Sequence, residues 1–136
     1  MTSDALPGTA DPTTLSACQD MAAEFRRRAA LHVTADVALL DACAELGELA
    51  GAYLKQSGYA PSAGAKGVAG APPSDRVRAE FGDALFALLS FADAAGLDAE
   101  AEFLDTMNRY EARFAGAGSA AGSGGRSGAG TGERRG

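Results

Sequence analysis

Apolar residues recur in this chain at three- and four-residue steps along four separate stretches, and no stretch of any length alternates apolar with polar. That pattern restricts the chain to an all-α fold, a four-helix bundle-like protomer. Leu15, Cys18, Met21, Ala22, Phe25 and Ala29 predict a first helix over about 12–31. Asp11-Pro12 suits its start, because Pro at the first helical position sacrifices no hydrogen bond. Arg26, Arg27 and Arg28 sit at its end, where the helix dipole favours cations, and read as a solvated helix terminus. Val37, Leu40, Cys43, Leu46, Ala50, Tyr53 and Leu54 predict a second helix over about 35–57, capped by Thr34 or Asp36 and ended by Gly58. Ser74-Asp75 starts a third, which runs to about Ala95 before Gly96 with Val77, Phe81, Leu85, Leu88, Leu89 and Ala92 as its apolar face. Asp98 starts a fourth to about Phe114, with Phe103, Leu104, Met107, Tyr110 and Phe114 expected to face inward.

Between and around these helices the composition changes. Residues 58–73 (GYAPSAGAKGVAGAPP) hold Gly, Ala and Pro with little else, a flexible loop longer than most connections in compact domains and read as a tolerated insertion. Residues 1–11 are polar with Pro and Gly, and residues 115–136 are Gly, Ser and Ala with scattered Arg; both are expected to be disordered tails. The folding part, 12–114, is then about a hundred residues, a size at which single-domain burial is marginal and oligomerisation is an ordinary remedy.

The net charge of -6 argues against binding a nucleic acid polymer, which needs clustered Lys and Arg. Cys18 and Cys43 have no CxxC spacing and read as small buried hydrophobes in a reducing compartment. No apolar run reaches the length of a membrane span, and the first residues carry no basic segment followed by an apolar one, so the expectation is a cytoplasmic protein without a membrane partner.

Two segments carry nearly one phrase: Ala44-Glu45-Leu46-Gly47-Glu48-Leu49-Ala50 in helix 2 and Ala79-Glu80-Phe81-Gly82-Asp83-Ala84-Leu85 in helix 3. Residues three apart share a helix face, so Glu45 projects with Glu48 and Glu80 with Asp83, with Asp41 one turn before Glu45. Like charges so placed repel, and partial burial raises that cost. A hard divalent cation offsets it: Mg²⁺ takes oxygen ligands and keeps positions free for water or phosphate. No Cys or His lies near either phrase, which argues against zinc, and neither is the Glu-x-x-His of di-iron bundles. The blander reading is a pair of solvated faces, salt-bridged to Arg76, Arg78 or Arg113. Gly47 and Gly82, each costing about 0.5–1 kcal/mol relative to Ala inside a helix, suggest close approach of a packed neighbour.

AELGELAGAYL, a loop, RAEFGDALFALLSFADAAGLD and NRYEARF together resemble the MazG-like nucleotide pyrophosphohydrolases, of the all-α NTP pyrophosphatase group, from about Leu40 to Phe114. The family pattern E-x-x-E, spacer, E-x-x-D falls on Glu45, Glu48, Glu80 and Asp83. The resemblance implies Mg²⁺-dependent hydrolysis of a nucleoside triphosphate to the monophosphate and pyrophosphate, with Mn²⁺ as a substitute ion. It implies these four acids as metal ligands, one of them an alternative general base. It also implies Asn108, Arg109 and Arg113 as phosphate contacts, and a homodimer or homotetramer in which a partner's helices complete the site. Position 44 is Ala where many members carry an acid, and the chain has no Trp for the base pocket, which leaves Phe25, Arg28 and His32 as contributors there. The alternative is a non-catalytic MazG-like module for dimerisation or regulation.

Overall fold

The structure, a computed structural model, describes residues 13–59 and 70–122. The expected N-terminal tail, the centre of the 58–73 loop and residues 123–136 of the expected C-terminal tail lie outside the described residues. Those described form four helices and no strand: α1 (Leu15–Arg28), α2 (Ala35–Gln56), α3 (Asp75–Ala95) and α4 (Ala99–Gly122). The chain divides into two compact units, Met1–Glu100 and Ala101–Gly136.

Local chemistry sets most helix ends. α1 starts three residues later than the Pro12 signal predicts, because the Thr14 hydroxyl accepts from the Ala17 N–H at 3.1 Å and supplies the cap. Ser74 caps α3 in the same way, accepting from Val77 N–H at 3.3 Å. Gly58 (φ 75°) and Gly96 (φ 69°) both take the left-handed conformation after α2 and α3. Each is followed by a residue whose N–H reaches back to the last turn, Tyr59 to Leu54 O at 3.1 Å and Leu97 to Ala92 O at 2.8 Å. α1 ends on the same motif with Ala30 at φ 54°, a conformation that crowds a Cβ. At the start of α4 the Asp98 carboxylate accepts from Glu100 N–H at 3.1 Å.

In the first unit α2 and α3 form an antiparallel pair, and α1 packs on α3. Gln56, at the end of α2, donates to Pro72 O at 2.9 Å and accepts from Ser74 N–H at 2.7 Å, which ties the two helix ends together. The seam between α2 and α3 differs from the expected apolar stripes. Among the less exposed positions, one series on α2 is Ala38, Ala42, Glu45, Leu49, Ala52 and Gln56 and one on α3 is Val77, Glu80, Ala84, Ala87, Phe91 and Ala94, while Ala35 and Gly51 of α2 and Leu89, Ser90 and Ala92 of α3 fall outside these series. Both sets step by alternating threes and fours, the period of two helices held side by side. The large residues expected inside, Val37, Leu40, Leu46, Tyr53 and Leu54 on α2 and Phe81, Leu85 and Leu88 on α3, are exposed instead. So is Cys43, while Cys18 is half-buried, and both thiols are free. The reason is steric: alanines let two backbones approach closely, and a stripe of larger side chains cannot occupy the same seam. Gly47 and Gly82 are also exposed, and a Cβ at either would meet nothing within 4 Å, so no packed neighbour in the chain requires them.

Arg26 is buried on the α3-facing side of α1. Its Nη1 donates to Ser90 O at 3.0 Å and lies 3.4 Å from Asp93 Oδ2. Beside it Phe25 meets Phe86 edge to face, ring centroids 5.7 Å apart. The Ser16 N–H donates to the Glu100 carboxylate at 2.9 Å, and Gln19 accepts from Ala99 N–H at 2.9 Å.

α4 runs eight residues past the expected end at Phe114, through a segment in which four Ala favour helix and three Gly oppose it. Phe103, Leu104, Met107, Tyr110 and Phe114, expected to face inward, are all exposed.

Candidate metal centre

Alternating three and four residues keeps Glu45 and Glu80 in the α2–α3 seam, Glu45 between Ala42 and Leu49 and Glu80 between Val77 and Ala84. Each acid has one alanine a turn away in the seam, Ala42 beside Glu45 and Ala84 beside Glu80, and a small residue there lets the two backbones approach. Carboxylate oxygens of Glu45, Glu48 and Glu80 all lie within 4.8 Å of one another. Glu80 is buried, Glu45 half-buried and Glu48 exposed, so the cluster opens outward through Glu48.

The electrostatics match the crowding. Desolvation first, then repulsion from Glu48, Asp83, Glu80 and Asp41, raises the Glu45 carboxyl above the ordinary glutamate range. Four acids therefore act on Glu45, three of them expected ligands like Glu45 itself. Asp83 is felt at Glu45 but stands outside the cluster of three. It borders a groove between α1 and α3 of about 590 Å³, lined by Met21, Phe25, Leu85, Phe86 and Leu89. The cause is helical geometry: a residue three positions on lies about 60° around the helix. With Glu80 in the seam, Asp83 turns toward α1.

The donor set suits a hard cation. All three groups offer oxygen, and opposite oxygens on one octahedral Mg²⁺ stand about 4.2 Å apart, so small rotations of long Glu side chains suffice to close on an ion. One competitor is present. Arg76 Nε donates to Glu80 Oε1 at 2.7 Å, an i, i+4 pair within α3. That is the salt bridge to Arg76 anticipated by the blander sequence reading. Arg78 instead donates to Pro73 O at 3.1 Å.

Asn108, Arg109 and Arg113, the expected phosphate contacts, are exposed on α4, and Arg109 donates to Thr106 Oγ1 at 2.7 Å. The residues expected at a base pocket separate. Phe25 faces the α1–α3 groove, Arg28 lies 3.6 Å from Glu24, and His32 lines a different cavity with Arg26, Arg27 and Asp93. Lys55 was not singled out from sequence. It borders a cavity of about 670 Å³ together with Glu48, Gly51, Ala52, Gln56, Ser74 and Arg76. The available signal was its place seven residues after Glu48, on the same helix face.

Compared with known proteins, the chain matches no family model, no curated protein and no solved structure. Among the described residues no helix is long and apolar enough to cross a membrane.

Proposed function

We propose that this chain is a MazG-like nucleoside triphosphate pyrophosphohydrolase: NTP and water give NMP, pyrophosphate and a proton. The observation that carries this reading is the meeting of Glu45, Glu48 and Glu80, contributed by the two matched acidic phrases, within 4.8 Å across one helix seam. These three would hold Mg²⁺ or Mn²⁺, with Asp83 at the margin. Bound there, the ion would offset phosphate charge and lower the pKa of a coordinated water. Seam packing fixes Glu80 and orients Glu45, while exposed Glu48 leaves the cluster accessible from outside. The α1–α3 groove beside Asp83 offers apolar walls that include the rings of Phe25 and Phe86, surroundings that suit a planar base. Incubation with a panel of nucleoside triphosphates and Mg²⁺, read as pyrophosphate release, tests the reading; no release with any of them refutes it.

A second copy of the chain is part of the proposal. No large side chain in the chain's described part is fully buried, and the outer faces of α2 and α3 expose Leu39, Leu40, Leu46, Tyr53, Phe81 and Leu88. Apolar surface of this kind on a small protein marks an interaction face. Light scattering at increasing concentration reads the dimer or tetramer directly, and a monomer throughout removes this part.

The Arg76–Glu80 pair favours one other reading, a non-catalytic helical module in which the guanidinium permanently neutralises the buried acid. Glu48→Ala separates the two. An enzyme loses turnover and stays folded, whereas the module loses nothing.

A further inference from the structure

We propose that Lys55 and Arg76 form the anion-binding half of the site and hold the terminal phosphates of the nucleotide. The inference rests on the reading above for the identity of its ligand. The antiparallel α2–α3 pair carries a gradient of charge. Asp41, Glu45 and Glu48 lie along α2 and are followed by Lys55; Arg76 precedes Glu80 and Asp83 along α3. Antiparallel packing puts both cations at one end of the acidic cluster. The cavity there is about 670 Å³, lined by Lys55 and Arg76 and reaching Glu48, so it is continuous with the acids.

Lys55 is the one lysine among the described residues, it is exposed, and no described residue forms an ion pair with it. A lysine of this kind is a point charge open to phosphate oxygens. Arg76 is anchored through one nitrogen: Nε meets Glu80 while its side chain stays largely exposed, so donors on the guanidinium remain for a second partner. Arg76 therefore links the two halves. It balances Glu80 when the acidic cluster holds no ion, and its remaining donors reach a phosphate when one is bound. The first turn of α3, at Ser74, borders the same cavity and adds the positive end of a helix. A cation on one side and two basic groups on the other would grip a polyphosphate at both ends, leaving the phosphorus nearest the acids exposed to water.

The test is equilibrium binding of inorganic pyrophosphate to the full chain in low salt, by calorimetry, without nucleotide or turnover. Lys55→Met and Arg76→Met are each expected to weaken binding about tenfold, Lys55→Met with helical circular dichroism unchanged and Arg76→Met with lower stability because buried Glu80 loses its partner. Arg78→Met, outside the cavity, is expected to leave affinity as it is. Pyrophosphate affinity unmoved by both Lys55→Met and Arg76→Met, in a protein that does hydrolyse a triphosphate, overturns the inference and leaves the proposed function standing. Lys55- and Arg76-dependent pyrophosphate binding in a protein that hydrolyses none supports the anion site and removes the proposed function. A wild-type chain that binds no pyrophosphate overturns the inference outright.

Discussion

Ala84→Leu tests the claim that small residues in the seam create the acidic cluster. Ala84 is buried one turn past Glu80 on the same face of α3. Helix pairs run about 8 Å apart where the contact residues are small and about 10 Å apart where they are large. A leucine here pushes α3 off α2 by about 1–2 Å and costs about 1–3 kcal/mol through overpacking. Carboxylate oxygens that now lie within 4.8 Å would separate to about 6 Å or more. One octahedral ion spans only about 4.2 Å between opposite ligands, so at least one carboxylate drops out. The expected result is a Mn²⁺ affinity lower by at least about tenfold, since even the loss of a hydrogen bond behind a ligand costs that much. Mn²⁺ titration followed by electron paramagnetic resonance measures affinity, and urea denaturation followed by circular dichroism measures stability. Ala79→Leu, at an exposed position on the same helix, is the control and should change neither. If Ala84→Leu folds and binds Mn²⁺ as tightly as Ala79→Leu, close helix approach is not what assembles the cluster.

Three further outcomes follow from particular contacts. Arg26→Met keeps the aliphatic stem but loses the bond to Ser90 O and should cost about 1–3 kcal/mol in urea denaturation, whereas Asp93→Asn, at the longer and half-exposed contact, should cost under about 1 kcal/mol; the reverse ranking refutes the assignment. Ala30→Gly relieves a left-handed backbone and should raise the melting temperature by about 2–6 °C, while Ala29→Gly, at an ordinary φ of -81°, should lower it. The backbone N–H and then the hydroxyl of Ser16 hold the Glu100 carboxyl below its ordinary value of 4.5. Its stabilising contribution is therefore complete above that value and lost as pH falls through the lowered folded-state pKa. The melting-temperature gap between wild type and Glu100→Gln should close on acidification, and a gap that widens contradicts it.

Helix ends were legible in the sequence because they are fixed by neighbours in the chain. Ser74, Gly96, Gly58 and Asp98 each act within a few residues. The start of α1 misled because Asp11-Pro12 signals a helix start by residue type, whereas the cap comes from the Thr14 hydroxyl. Membership of the seam was not legible. Periodicity weights large side chains, so it selected Leu40, Leu46, Phe81 and Leu88, all exposed, over the alanines that allow contact. The acids were found because their spacing is local, but equal spacing did not give equal placement. Glu45 and Glu80 fall in the seam, and their partners Glu48 and Asp83 rotate out of it on different sides, toward the basic cavity and the α1 groove. Sequence alone also could not choose among Arg76, Arg78 and Arg113 as the counter-charge. That choice depends on which arginine shares a face with the buried acid, and Arg76, four residues before Glu80, does.

The placement of Glu80 joins stability to binding. A carboxylate buried in an apolar helix seam is expensive unless something positive reaches it. Arg76 meets that need from within α3 while leaving its own side chain mostly in solvent, so the pair resembles a surface salt bridge at one end and a buried charge at the other. A surface arginine is cheap to displace, since exposed pairs are worth little, but the buried acid cannot be left alone. Whatever takes Arg76 away must itself be a cation. The seam therefore selects for positive charge at one point without fixing its source, and the cavity beside it gives the released guanidinium an anion to turn to. A metal ion with a phosphate attached satisfies both demands at once, which neither partner does by itself.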